Sequence, residues 1–123
     1  MSEVLKALCC VAAACLAVMA CAACAEPASA PTAADEAAVR VIAKKLRAGP
    51  PQNPPQTIKR HVIDGKTFYY VRAPCCDQFN DVYDARGQRL CSPDGGITGR
   101  GDGRCPEIRI DPREGDVVWQ DRR

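Results

Sequence analysis

Residues 34–49 carry the clearest periodic pattern in the chain. Val39, Ile42, Ala43 and Leu46 fall at i, i+3, i+4 and i+7, one apolar stripe of a helix. Arg40, Lys44, Lys45 and Arg47 lie largely off that stripe, and cations in a last turn suit the helix dipole. Thr32 with Asp35 three residues on is a capping-box variant at the start, and Gly49-Pro50 stops the helix. The stripe is narrow and has no aromatic residue, which favours packing on a core over lying on a membrane. From residue 57 the period changes to two. Ile58, Arg60 and Val62 alternate before Asp64-Gly65, a pair that suits a two-residue hairpin turn, and Thr67, Tyr69 and Val71 alternate after it. A second hairpin is expected from Phe79–Tyr83, a turn at Ala85–Gly87 and a return over Gln88–Cys91. Ile108 and Ile110 alternate with charge, and Val117–Trp119 reads as a short edge strand. The expected fold is α+β: one N-terminal amphipathic helix with a small antiparallel β-meander, stapled by disulfides.

The start of the chain breaks from this pattern. "MSEVLK" is followed by a run of small and apolar residues without charge, the shape of a bacterial export signal. We therefore expect a signal peptide of lipoprotein type over 1–20, a tether over 21–33, the helix over 34–49, a proline-rich spacer over 50–56 and the β-rich domain over 57–123. "VMAC" resembles a lipobox, which makes Cys21 the expected lipidated residue and gives the protein a lipid anchor. Cys24, and a plain cut before Glu26, are the rivals. "CAAC" at 21–24 has no strand before it and no amphipathic helix directly after it, so it is not read as a redox motif.

Of nine cysteines, Cys75, Cys76, Cys91 and Cys105 lie beyond the leader and its tether. An even number in a small exported domain implies two disulfides. Adjacent cysteines rarely bond to each other, so Cys75 and Cys76 are expected to bond one each to Cys91 and Cys105. A vicinal redox pair and a four-thiolate zinc site are the weaker alternatives, since the spacing lacks paired C-x₂₋₄-C ligands.

"CSPDGGITGRGDGRCP", residues 91–106, is the least ordinary stretch. Counted from Asp94 as a calcium loop, position three is Gly96 and position five is Thr98, so the oxygen ligands fail. Arg100-Gly101-Asp102 matches an adhesion tripeptide, but three residues match by chance too readily to carry a function. The reading adopted is a tight turn cluster whose aspartates bond to backbone N–H groups. Its candidate binding residues are Asp94, Ile97, Arg100 and Asp102. The formal net charge of +2, with both signs interleaved, argues against a nucleic-acid partner. Nothing assembles a catalytic centre: His61 is the one histidine, no glycine-flanked serine stands out, and Asp77, Asp81 and Asp84 read as turn formers. No cofactor and no metal are expected.

The residues Cys75-Cys76-Asp77-Gln78, Tyr83-Asp84, Gly87, Cys91, Pro93-Asp94-Gly95-Gly96, Gly99 and Gly101-Asp102-Gly103 to Pro106 carry a resemblance. Over about residues 58–122 the chain resembles a family of small exported bacterial proteins described only as a domain of unknown function. The resemblance implies an exported, often lipid-anchored domain and no activity. The function expected is a non-enzymatic periplasmic or outer-membrane protein that presents its disulfide-tied loop to a protein partner in the envelope. The alternative is a small inhibitor of an enzyme such as a lysozyme or protease, with Ile97 and Arg100 at the loop tip.

Overall fold

The computed structural model describes residues 30–123; the proposed signal peptide, Cys21 and most of the tether lie outside the described residues. Helix α1 runs Ala33–Arg47. Thr32 caps it in full: its hydroxyl accepts from the Asp35 N–H at 3.2 Å, and the Asp35 carboxylate accepts from the Thr32 N–H at 2.7 Å. The strands are β1 (Thr57–Ile63), β2 (Lys66–Val71), β3 (Phe79–Tyr83), β4 (Arg89–Gly95) and β5 (Asp116–Gln120). They form one antiparallel sheet in the order β4-β3-β2-β1-β5.

This corrects the expected α+β meander stapled by two long-range disulfides. Among the described residues the chain is mainly a five-stranded antiparallel sheet with one short helix, and only Cys91–Cys105 staples distant segments. The last strand does not extend the meander at its end. It crosses back and pairs with β1, setting Trp119 opposite Ile58. The reason is burial: Trp119 and Val118 pack against the cluster under the helix, which an outer position beside β4 would not allow. Two local expectations change as well. Glu107–Ile110 alternates in sequence but forms no strand. The return strand runs on to Gly95, so Asp94 belongs to the sheet and not to the loop.

Side chains alternate across a strand, so the register sorts the two faces. One face presents Ile58, Arg60, Tyr69, Val71 and Tyr83, which meet Ala38, Val39, Ile42, Ala43 and Leu46 of α1. The opposite face presents His61, Tyr70, Val82 and Cys91. These are buried too, although no helix covers them. The segment after β4 covers part of this face: Cys105 is bonded to Cys91, and the backbone at Gly115 lies against the His61 ring, while Tyr70 is held within the sheet by Asp94 of β4. The sheet is thus covered by a helix on one side and in part by an irregular, disulfide-held segment on the other.

The helix is fastened to the sheet through charge as well as apolar contact. Arg60 Nη1 donates to Asp35 Oδ2 at 2.9 Å, and Tyr69 OH donates to Asp35 Oδ1 at 2.6 Å. Arg60 Nη2 reaches Asp116 of β5 at 3.0 Å, so one guanidinium links helix, β1 and β5. The C-terminus ties back as well. Arg123 holds the buried Asp121 and donates to the Arg47 and Gly49 carbonyls at the helix end.

Candidate functional site

The glycine-rich loop leaves β4 at Gly95 and returns to Cys105. Its base is fixed at three levels. Covalently, Cys91 and Cys105 are bonded, with Cα atoms 5.7 Å apart. Along the backbone, Gly99 N–H donates to Gly96 O, Gly101 N–H to Gly95 O and Asp102 N–H to Ser92 O at 2.9 Å. Gly101 allows the last of these: its φ is +70°, and a Cβ there would collide with the Ser92 carbonyl. Through side chains, Asp94 at the end of β4 and Asp102 in the loop are both committed. Asp94 accepts from Tyr70 OH at 3.0 Å and from the Asn80 amide, while Asn80 Oδ1 accepts from the Ala73 N–H at 2.7 Å. Asp102 accepts from the Arg104 N–H at 2.9 Å and from Arg89 Nη2 at 3.4 Å.

The electrostatics follow from those partners. Burial, reinforced by the neighbouring Asp94 carboxylate, raises the Tyr70 phenol well above its ordinary range, so Tyr70 stays a neutral donor. The Arg104 N–H, joined by the Ser92 backbone and the Arg89 charge, holds the Asp102 carboxyl below the usual carboxylate range. Both aspartates therefore serve the loop's own shape. Among the described residues no group of three or more His, Cys, Asp and Glu side chains is placed to hold a metal ion.

The four candidate binding residues thus divide. Asp94 and Asp102 are half-buried supports, whereas Ile97 and Arg100 are exposed at the loop's outer turn. Ile97 is 90% exposed, far more than any other large apolar side chain described. Tyr70, Asn80, Arg89 and Ser92 hold the loop from the sheet; of these the sequence points to Tyr70 alone, as one of the aromatic strip Phe68, Tyr69 and Tyr70 that could form a binding face. Strand alternation puts Tyr70 on the face opposite Tyr69, and that was the signal for its side of the sheet. For Arg89 and Ser92 the signal is absent, because register shifts in the β3–β4 pairing set which side chains meet.

The cysteine pairing is also corrected. Cys75 and Cys76 are bonded to each other, Cα atoms 3.7 Å apart, and not to Cys91 and Cys105. The expectation placed them in a strand with side chains on opposite faces. They lie instead in the exposed turn between β2 and β3, where the chain has left the sheet, while Cys91 in β4 meets Cys105 of the covering segment.

The remaining titratable groups form structural sets. Ser92 Oγ donates to Asp81 at 2.7 Å and accepts from Arg89 Nη2 at 2.8 Å, but Ser92 is fully buried and no histidine joins it. His61 is buried, and burial together with the charge of Lys59 pushes its imidazole below the ordinary range. Asp84 closes the β3–β4 turn, accepting from the Arg86 and Gln88 N–H groups.

A family profile described as a domain of unknown function (DUF6970) matches residues 44–121, from the last turn of α1 to the residue after β5. No curated protein and no solved structure matches the chain.

Proposed function

The chain belongs to this DUF6970 family of unknown function, and from the geometry of its loop we propose that it is a non-enzymatic binding module of the cell envelope. The protein is exported and anchored by a lipid on Cys21. The uncharged apolar run before Cys21 and the oxidised state of the four cysteines among the described residues support that placement. The observation that carries the binding reading is Ile97, 90% exposed on a loop whose backbone is held at its base by a disulfide and by hydrogen bonds. A large apolar side chain on a pre-ordered backbone loses little further freedom on docking, so the loop is suited to fill an apolar pocket of a protein partner. A second reading, an enzyme inhibitor, draws on Arg100 standing exposed in the same turn.

The test uses the chain from Cys21 onward, immobilised and exposed to envelope extract. The variants are Ile97→Asp in the loop and Val62→Asp at an exposed valine of β1. We expect a protein retained by the wild type and by Val62→Asp and released from Ile97→Asp. Both variants should keep their stability within about 0.5 kcal/mol, as exposed sites do. Retention unaffected by Ile97→Asp refutes the loop as the docking element. If the retained protein is a hydrolase that the domain silences, the inhibitor reading replaces the structural one.

A further inference from the structure

The two disulfides differ in what can reach them. Cys75 and Cys76 are both exposed, in the turn that joins β2 to β3. Cys91 is 2% exposed, beneath the covering segment. Thiol–disulfide exchange needs an attacking thiolate to reach a sulfur, so access alone separates the two bonds. A cavity of about 520 Å³ adjoins the exposed one, walled by Pro54, Pro55, Arg72, Pro74 and Gln78. It offers an incoming thiol a recess beside the sulfurs.

The same turn is wired to the glycine-rich loop. The Gln78 N–H donates to the Cys75 carbonyl at 3.2 Å, and the Gln78 carbonyl accepts from the Gly96 N–H at 2.9 Å. On the other side of the turn, the Ala73 N–H is held by Asn80, which also holds Asp94. Ala73 and Gln78 bracket the cysteine pair, so a change of backbone at Cys75–Cys76 acts on both supports of the loop base.

We propose that Cys75–Cys76 is an exchange site for a dithiol reductant, and that the loop at Gly96 reads its redox state. In the exchange, a thiolate of the reductant attacks one Sγ, the Sγ–Sγ bond breaks, and the other sulfur leaves as a thiolate. The reductant's second thiol then attacks the mixed disulfide. The reductant ends as a disulfide, oxidised by two electrons, and its two protons end on the thiols of Cys75 and Cys76. Cys91–Cys105 takes no part. The site stands independently of any partner docking at Ile97.

The experiment uses the full chain purified without reductant and the probe dithiothreitol in graded amounts. Free thiols are trapped with a mass-tagged alkylating reagent and mapped by peptide, and amide exchange at Gly96 is followed in parallel. Cys75 and Cys76 should become labelled at a dithiothreitol concentration at least tenfold below that needed for Cys91 and Cys105. Exchange at Gly96 should rise at least tenfold at that first step and return on reoxidation. A double variant, Cys75→Ser with Cys76→Ser, should show the fast Gly96 exchange without reductant while Cys91–Cys105 stays bonded. Reduction of all four cysteines together, or label on Cys75 and Cys76 before any reductant is added, overturns the exchange site. Gly96 exchange that ignores both the reduction and the double variant overturns the coupling.

Discussion

Asp35 sits in the first turn of α1, yet its carboxylate meets partners from three places in the chain: Thr32, Arg60 and Tyr69. Burial alone would raise its pKa, but the Tyr69 hydroxyl, the two Thr32 donors and the Arg60 guanidinium together outweigh burial and lower it to about 2. The unfolded chain therefore binds this proton more tightly than the folded one. The stability that Asp35 contributes is complete above the ordinary value of 3.8 and is lost as pH falls through 2. Asp35→Asn should remove it at neutral pH as well. The substitution leaves a buried guanidinium with Asp116 as its acidic partner, and half of a buried ion pair is costly to leave behind. We expect a loss of roughly 2–4 kcal/mol, somewhat softened by the retained Asp116. Urea unfolding followed by the fluorescence of Trp119 measures it. The same titration taken from pH 5 to pH 2 should fall for the wild type and stay flatter for the variant.

At the scale of elements, the glycine-rich loop divides into positions that need glycine for space and positions that need it only for conformation. Gly101 needs both, since a Cβ would strike the Ser92 carbonyl, while a Cβ at Gly103 would meet nothing within 4 Å at a similar φ of +72°. Gly103→Ala should therefore cost about 1 kcal/mol, the left-handed backbone alone. Gly101→Ala should cost clearly more, about 3 kcal/mol, because the Asp102 N–H to Ser92 O bond must open as well. Equal losses in parallel thermal melts would show that the loop base yields instead of resisting. The contrast also marks what the sequence makes legible. Helix α1 and the hairpin at Asp64-Gly65 are local: a stripe, a cap, a turn pair and an alternation specify each within a few residues. Asp102 was readable as a turn former for the same reason, and it accepts from the Arg104 N–H; Asp94 was not, since it lies in β4 and accepts from the Tyr70 and Asn80 side chains. The pairing of β5 with β1 and the bonding of Cys75 to Cys76 were not. The first depends on which surface Trp119 can bury, and the second on where β2 ends, and neither is a property of a short window. The support that Tyr70 and Arg89 give the loop is not legible in the sequence, because it depends on partners 24 and 13 residues away.

The described residues form one sheet with two unlike covers, and the sheet itself is what couples them. Tyr69 faces the helix and Tyr70 the opposite side of the sheet, on adjacent residues of β2. Val82 and Tyr83 repeat the arrangement on β3. Displacing the segment would uncover Cys91 and His61 and loosen the strands on which the helix rests. A core this small has little stability in reserve, so losing one face should bring down the other. Trp119, the chain's one tryptophan, reports on the helix side, well away from the disulfide that holds the loop. The paired substitution Cys91→Ser with Cys105→Ser removes that disulfide and frees a loop of 14 residues, an effect worth about 3 kcal/mol in the unfolded chain. If the two covers are coupled, Trp119 fluorescence and far-ultraviolet circular dichroism should unfold in one coincident transition in the wild type. In the double variant both midpoints should move down together by the equivalent of that 3 kcal/mol, although Trp119 touches neither cysteine. A Trp119 transition that stays in place while the dichroism signal splits into two steps would show the helix and its face of the sheet to be stable alone. The covering segment would then be an appendage to the fold and not half of its core.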